Sequence, residues 1–228
     1  MLGKFNIPQQ NIIYKNKINK KLFNKKYVNE INFFKLSQQQ NWRSLVINDD
    51  FESEIFFADF KANIIEMYQL TQNGPDLAKV ERDNAVCVHV RRGDMLTMKD
   101  IYLLPITYQQ QAIELAKKLI KKPEFIIFTD SIDLVKSELS GDFNFVSGKP
   151  LEDFLLMSKC GNNIIANSTF SWWAAYLNQR YNHLVIAPSP RYNDKFFQEI
   201  FKDDYLRYRK RALYQLHAYP RDWILINY

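Results

Sequence analysis

Arginine, carboxylate and hydroxyl side chains recur in this sequence at one kind of place, directly after a short apolar run. Arg91, Arg92, Gly93 and Asp94 follow the run 85–90; Thr129, Asp130 and Ser131 follow 124–128; Asn167, Ser168, Thr169 and Ser171 follow 163–166. If the runs are parallel strands, all three clusters share one edge of one sheet, and ligands of an open parallel sheet bind beyond the carboxyl ends of its strands. Two guanidinium groups, a carboxylate and hydroxyls at a helix start suit a nucleotide diphosphate. Guanidinium forks take phosphate oxygens in pairs, and the N–H groups of a helix start point at an anion.

The elements that must position these residues follow from the hydrophobic period. Short β-branched runs at 85–90, 124–128, 143–146, 163–166 and 184–187 alternate with helical patterns at 108–121, 132–139, 151–160 and 170–180. Five strands and four crossover helices predict a doubly wound, Rossmann-like α/β unit over 85–228. Residues 1–84 lack that alternation and read as a mostly helical part. Within it, 54–70 carries Phe56, Phe57, Phe60, Ile64 and Met67 on one wide apolar face, and 71–84, with Gly74 and Pro75, reads as a linker. Residues 192–228 are aromatic and basic with little period, a tail expected to pack back over the domain or cross to the first part.

Composition narrows the function. At about 150 residues per domain, 228 residues make one or two domains with a sizeable core, which excludes a peptide hormone or a lone zinc module. Apolar residues at 46% and charged residues at 25% exclude wholesale disorder. The six glycines form neither GxGxxG nor GxxxxGK[ST], so both common glycine-rich phosphate loops are absent. A net charge of +6 and a pI near 9.1 suit nucleic acid, acidic lipid or a phosphorylated small molecule. Cys87 and Cys160 have no metal or redox spacing, which points to a reducing compartment and no structural disulfide. No run approaches the roughly 18 apolar residues of a membrane span, and residues 1–17 lack a secretory signal's apolar core, so the cytoplasm is the expected location. Lys15, Lys17, Lys20, Lys21, Lys25 and Lys26, with Ile18, Leu22 and Phe23 between them, form a tract for an anionic membrane surface or, the favoured reading, a solvated helix face. No DxD triplet occurs, Asp49-Asp50 and Asp203-Asp204 being adjacent pairs, so neither a metal-bridged diphosphate nor any other cofactor is expected.

The run His89-Val90-Arg91-Arg92-Gly93-Asp94 is similar to the HxRRxD motif of fucosyltransferases that use GDP-fucose. Residues 167–177, NSTFSWWAAYL, resemble the second signature of the α-1,2-fucosyltransferases, glycosyltransferase family 11, and 104–108 and 128–131 are similar to further segments in the same order. The resemblance covers 85–187, with a faint extension over 51–60 and its Ser53-Glu54 pair. It implies a GT-B-like fold in which 85–228 is the donor-binding half and 1–84 an incomplete acceptor side. The GGLGNQ-like loop that members usually carry on a first strand has no match in 1–50, so a shortened or diverged first half is expected. The implied reaction is inverting transfer of L-fucose from GDP-fucose to a galactoside hydroxyl, in α-1,2 linkage, within a surface polysaccharide or lipid-linked oligosaccharide. No metal and no nucleic acid take part.

On this resemblance Arg91 holds the donor's β-phosphate and stabilises charge on departing GDP; the alternative is an ion pair with Asp94. Arg92 joins it or leaves the strand on the opposite face. His89 contacts guanine or ribose, or is a packed histidine. Asp130 accepts the N1 and N2 hydrogens of guanine, or caps the helix that starts after it. Ser168, Thr169 and Ser171 donate to the diphosphate, or cap their own helix. Asp94 is the near candidate for the catalytic base and Glu54 a remote one, while Trp172 and Trp173 read as packing. Asn167-Ser168-Thr169 matches a glycosylation acceptor, but a glycan there would block the site. Two rival functions are a non-catalytic GDP-sugar binder and a nucleic-acid binder with salt-sensitive affinity and indifference to GDP.

Overall fold

Ala85–Val90, with the sequence AVCVHV, is buried along its whole length and forms the central strand of a six-stranded parallel sheet. The computed structural model describes residues 26–28, 45–47, 53–67, 76–97, 102–191, 198–199, 202–203 and 218–228. Most of the lysine tract, Asp49-Asp50 and residues 71–75 of the expected linker lie outside these. Contacts divide the chain into two units, 1–72 with 206–218, and 73–205 with 219–228. Residues 76–84 therefore go with the sheet, and the segment 206–218, which the sequence places in the tail, goes with the first unit.

The described residues of the first unit include two short parallel strands, β1 (Lys26–Val28) and β2 (Leu45–Ile47). The expectation of a mostly helical part misses this pair, because each strand has only three residues and β1 begins inside the lysine tract. The helix predicted over 54–70 forms as two 3-10 turns, Glu54–Phe56 and Ala58–Phe60, followed by α1 (Lys61–Met67). Its expected apolar face is only partly realised: Phe56 is buried and Phe60 is 61% exposed.

In the second unit β3 (Ala85–Val90), β4 (Glu124–Thr129), β5 (Asn144–Val146), β6 (Asn162–Ile164), β7 (Val185–Ser189) and β8 (Ile224–Asn227) are joined by α2 (Ile106–Leu119), α3 (Ile132–Glu138), α4 (Pro150–Lys159) and α5 (Thr169–Tyr176). The spatial order β5-β4-β3-β6-β7-β8 is the doubly wound order in which the chain starts in the middle, builds one half of the sheet, then crosses to build the other. This is the predicted Rossmann-like α/β architecture, with β8 added. The unpredicted strand pairs with β7 and directly follows Trp223, whose ring lies 5.6 Å from that of buried Trp172.

Period-two alternation divides each central strand between two cores. Val86, Val88 and Val90 of β3 and Phe125 and Ile127 of β4 face Tyr108, Ala112, Ile113 and Ala116 of α2 and Val135 of α3. Ala85 and Cys87 of β3 and Ile126 and Phe128 of β4 face Met157 of α4 and Ala174 of α5. The same alternation, carried past the end of β3, decides which side of the sheet each residue of the motif reaches. α5 ends at Tyr176 rather than at 180, because Asn178 turns its amide inward to donate to the Cys160 carbonyl at 2.8 Å while its own carbonyl accepts the Arg180 N–H at 3.1 Å.

Candidate active site

His89 and Arg91 sit two residues apart at the end of β3, on the α4/α5 side of the sheet. They line a cavity of about 250 Å³ with Phe128, Thr129 and Asp130 from the end of β4, Ser147 and Gly148 after β5, Pro150 and Asp153 of α4, and Phe170 of α5. The cavity thus lies beyond the carboxyl ends of three adjacent parallel strands. His89, Arg91 and Asp130, named from sequence as donor contacts, are brought together here.

Arg91 is held in a fork. Its Nε and Nη2 donate to Asp94 Oδ1 at 3.1 and 2.9 Å, Nη2 donates to Asp94 Oδ2 at 2.7 Å, and Nε lies 3.9 Å from Asp130 Oδ2. The guanidinium keeps the Asp94 carboxyl below the usual carboxylate range. A carboxylate so held is a weakened proton acceptor, and its two oxygens fix the direction of the Arg91 guanidinium.

Arg92 corrects the sequence reading that made it a donor contact. Alternation sends it to the α2/α3 side, where it is 2% exposed, its Nε donating to Glu138 Oε2 at 2.7 Å and its Nη1 to the Leu104 carbonyl at 2.8 Å. Its backbone N–H and that of Gly93 both donate to Asp130 Oδ1, at 2.9 and 3.0 Å. Asp130 therefore grips the turn after β3 instead of capping α3, whose N-cap is Ser131. Gly93 leaves room for this grip: a Cβ there would stand 2.6 Å from Asp130 Oδ2 and 2.9 Å from its Cγ, so a larger residue would make the carboxylate shift.

The three hydroxyls assigned to the diphosphate do not line the cavity. Ser171 is fully buried, its Oγ accepting the Ala166 N–H at 3.2 Å and directed at the Ser168 carbonyl at 3.2 Å. Ser168 caps α5 by accepting the Phe170 N–H at 3.3 Å, and Thr169 is exposed in the first turn. Asp153 was missed by the sequence reading, because it lies inside the helix that follows β5 and not directly after the strand, as Arg91 and Asp130 do. It accepts the Gly148 N–H at 3.0 Å through Oδ2, and burial raises its pKa. Phe170 closes the cavity between His89, at 5.8 Å, and Phe154, at 5.4 Å between ring centroids.

His89 is 6% exposed and its Nδ1 has no hydrogen-bond partner. Burial, reinforced by Arg91, depresses its pKa from 6.5 to about 4, so the imidazole is neutral near pH 7. Unfolded chain binds this proton below pH 6.5 and folded chain only below about 4, so the stability contributed is present above pH 6.5 and drains away as pH falls through that window. Urea midpoints are expected to show a loss on the order of 2 kcal/mol between neutral pH and about pH 5 that His89→Gln removes. Parallel pH profiles for the two proteins would contradict a buried neutral imidazole.

The sequence model of Glycosyl transferase family 11 matches residues 4–209. The chain belongs to this family. Among curated proteins, the family 11 chain is 36% identical over 118 residues to the O-antigen biosynthesis glycosyltransferase WbnK of Escherichia coli, covering 47% of this chain and 39% of the relative. It is 32% identical over 154 residues to an alpha-1,2-colitosyltransferase of Escherichia coli, 61% of this chain and 53% of the relative. It is 32% identical over 153 residues to galactoside alpha-(1,2)-fucosyltransferase 1 of Bos taurus, 62% of this chain and 39% of the relative. These alignments span about half or less of each relative's length. No solved structure matches the family 11 chain significantly. Among the described residues no helix is long and apolar enough to cross a membrane.

Proposed function

We propose that this family 11 chain transfers L-fucose from GDP-fucose to a galactoside hydroxyl, with inversion and α-1,2 linkage, in the synthesis of a bacterial surface glycan. The observation that carries the reading is the cavity at the ends of β3, β4 and β5, where the Arg91 fork, the unpartnered His89 Nδ1 and the carboxylates of Asp130 and Asp153 converge. A guanidinium suits the diphosphate, and a carboxylate suits the paired N–H donors of guanine. Of the two carboxylates Asp153 is the better guanine reader, because Asp130 Oδ1 already accepts two backbone N–H groups. The family's named relatives act on fucose or colitose in α-1,2 linkage, or in O-antigen biosynthesis.

In the proposed reaction the acceptor oxygen forms a bond to the fucose anomeric carbon as the bond from that carbon to the β-phosphate oxygen breaks. The electron pair leaves with GDP, whose new charge Arg91 stabilises, and the acceptor proton passes to a base or to solvent. Arginine takes the place a cation would hold, so turnover persists in chelator. The reaction is placed in the cytoplasm.

A second reading, GDP-sugar binding without turnover, is favoured by one observation: the carboxylate of Asp94, the near candidate for the base, is already held by the Arg91 guanidinium. Calorimetric titration of the 228-residue chain with GDP, UDP and GDP-fucose, followed by assay of released GDP with a lactose-type acceptor, separates the two. The expected result is GDP-selective binding and acceptor-dependent release. Binding without release establishes the second reading, and a chain indifferent to GDP refutes both.

A further inference from the structure

Glu138 does not line the cavity, yet it accepts from Arg92, the side chain that anchors the turn after β3 on the side of the sheet away from the cavity. Arg92 is buried, and its guanidinium reaches Glu138 at the last turn of α3 and the Leu104 carbonyl just before α2. The backbone of the same residue, with Gly93, donates to Asp130, and the residue before it is Arg91. Three segments, 91–94, 104 and 138, are thus joined through a single guanidinium, and the turn is held on both sides of the sheet. Asp130 grips it on the cavity side and Glu138 on the other.

Arg92 is buried and Glu138 29% exposed, and a pair with one desolvated charge is a weak stabiliser, because the desolvation offsets much of the attraction. It is a strong geometric constraint, since a planar guanidinium with two fixed acceptors has almost no freedom. We infer that Glu138 is a positioning residue of the site, which through Arg92 sets the turn that aims Arg91 at the donor's β-phosphate. The inference rests on the donor-binding reading above and extends it to a residue outside the cavity.

The test compares GDP with GMP, which lacks the β-phosphate, by calorimetry on the full chain and on Glu138→Ala and Glu138→Gln. Wild type is expected to bind GDP about tenfold or more tightly than GMP, the increment of one charge-assisted contact. Glu138→Ala is expected to shrink that ratio to about threefold or less while GMP affinity stays within about twofold. Glu138→Gln keeps an oxygen for the Arg92 Nε–H and is expected to restore most of the ratio. Where the Ala variant does not fold, Glu138→Asp, one methylene too short to reach, takes its place. An unchanged ratio in the truncating variant overturns the inference, as does an equal loss of GDP and GMP affinity, which is the mark of general loosening. A wild-type chain that binds GDP no better than UDP refutes the donor-binding reading itself, and the positioning role falls with it.

Discussion

Arg91→Ala is expected to slow GDP release from GDP-fucose by about 10²–10³-fold, equivalent to about 2.7–4 kcal/mol of transition-state stabilisation. In the proposed transfer the bond that breaks leaves its electron pair on a β-phosphate oxygen, so the charge that Arg91 would meet is larger in the transition state than in the bound donor. A fixed fork in a partly enclosed cavity meets that charge without having to reorganise. The Arg91–Asp94 pair is partly exposed, with side chains 32% and 44% accessible, so its loss costs the fold well under about 1 kcal/mol. Arg91→Lys retains the charge but not the fork and is expected to fall between the two. Steady-state rates at saturating donor, with thermal melts run alongside, decide the matter. An Ala variant that turns over within about threefold of wild type removes Arg91 from the chemistry.

The second large effect is on stability and comes from the other end of the same strand. Gly161 opens β6 against the turn that leads into β3, where an added Cβ would stand 2.1 Å from the Arg82 carbonyl oxygen and 3.0 Å from that of Ala85. Both obstacles are backbone and both are in use. The Arg82 carbonyl accepts the Ala85 N–H at 3.0 Å, and the Ala85 carbonyl accepts the Asn162 side-chain amide at 3.1 Å. The Gly161 N–H itself donates to the Val80 carbonyl at 3.0 Å. A methyl group can be admitted only by moving the start of one central strand away from another, so Gly161→Ala is expected to cost about 3 kcal/mol of unfolding free energy. Denaturant titration measures it directly. A loss below about 0.5 kcal/mol would mean that the turn yields freely.

The legibility of the fold in the sequence varied with the length of each element and with how many sides of it are buried. The strands from β3 to β7 and the helices from α2 to α5 announce themselves because continuous β-branched runs alternate with long helical periods. The strand β8 has four residues at a sheet edge, half-buried in alternation, inside an aromatic and basic stretch that hides its period. The pair β1 and β2 is shorter still. At the site, the alternation of a strand sufficed to suspect that Arg91 and Arg92 part company, and the structure sends them to opposite sides. Ser171 was misread because hydroxyls in the first turn of a helix look alike in sequence, while only the packing of α5 shows that this one turns back to Ala166. Asp153 was overlooked because the stretch after β5, Ser147-Gly148, is small and uncharged, and its carboxylate arrives one turn into the following helix.

Parallel pairing has a kinetic consequence for the cavity. Asp130 grips backbone donors 37 and 38 residues earlier in the chain, and the remaining walls come from segments after β5 and at the start of α5. None of these contacts is local, and each requires a crossover helix to have closed before its strand can dock. No fragment shorter than the β3–α5 stretch holds all the cavity's walls, so any nucleotide affinity is expected to return on refolding only once that whole stretch is assembled.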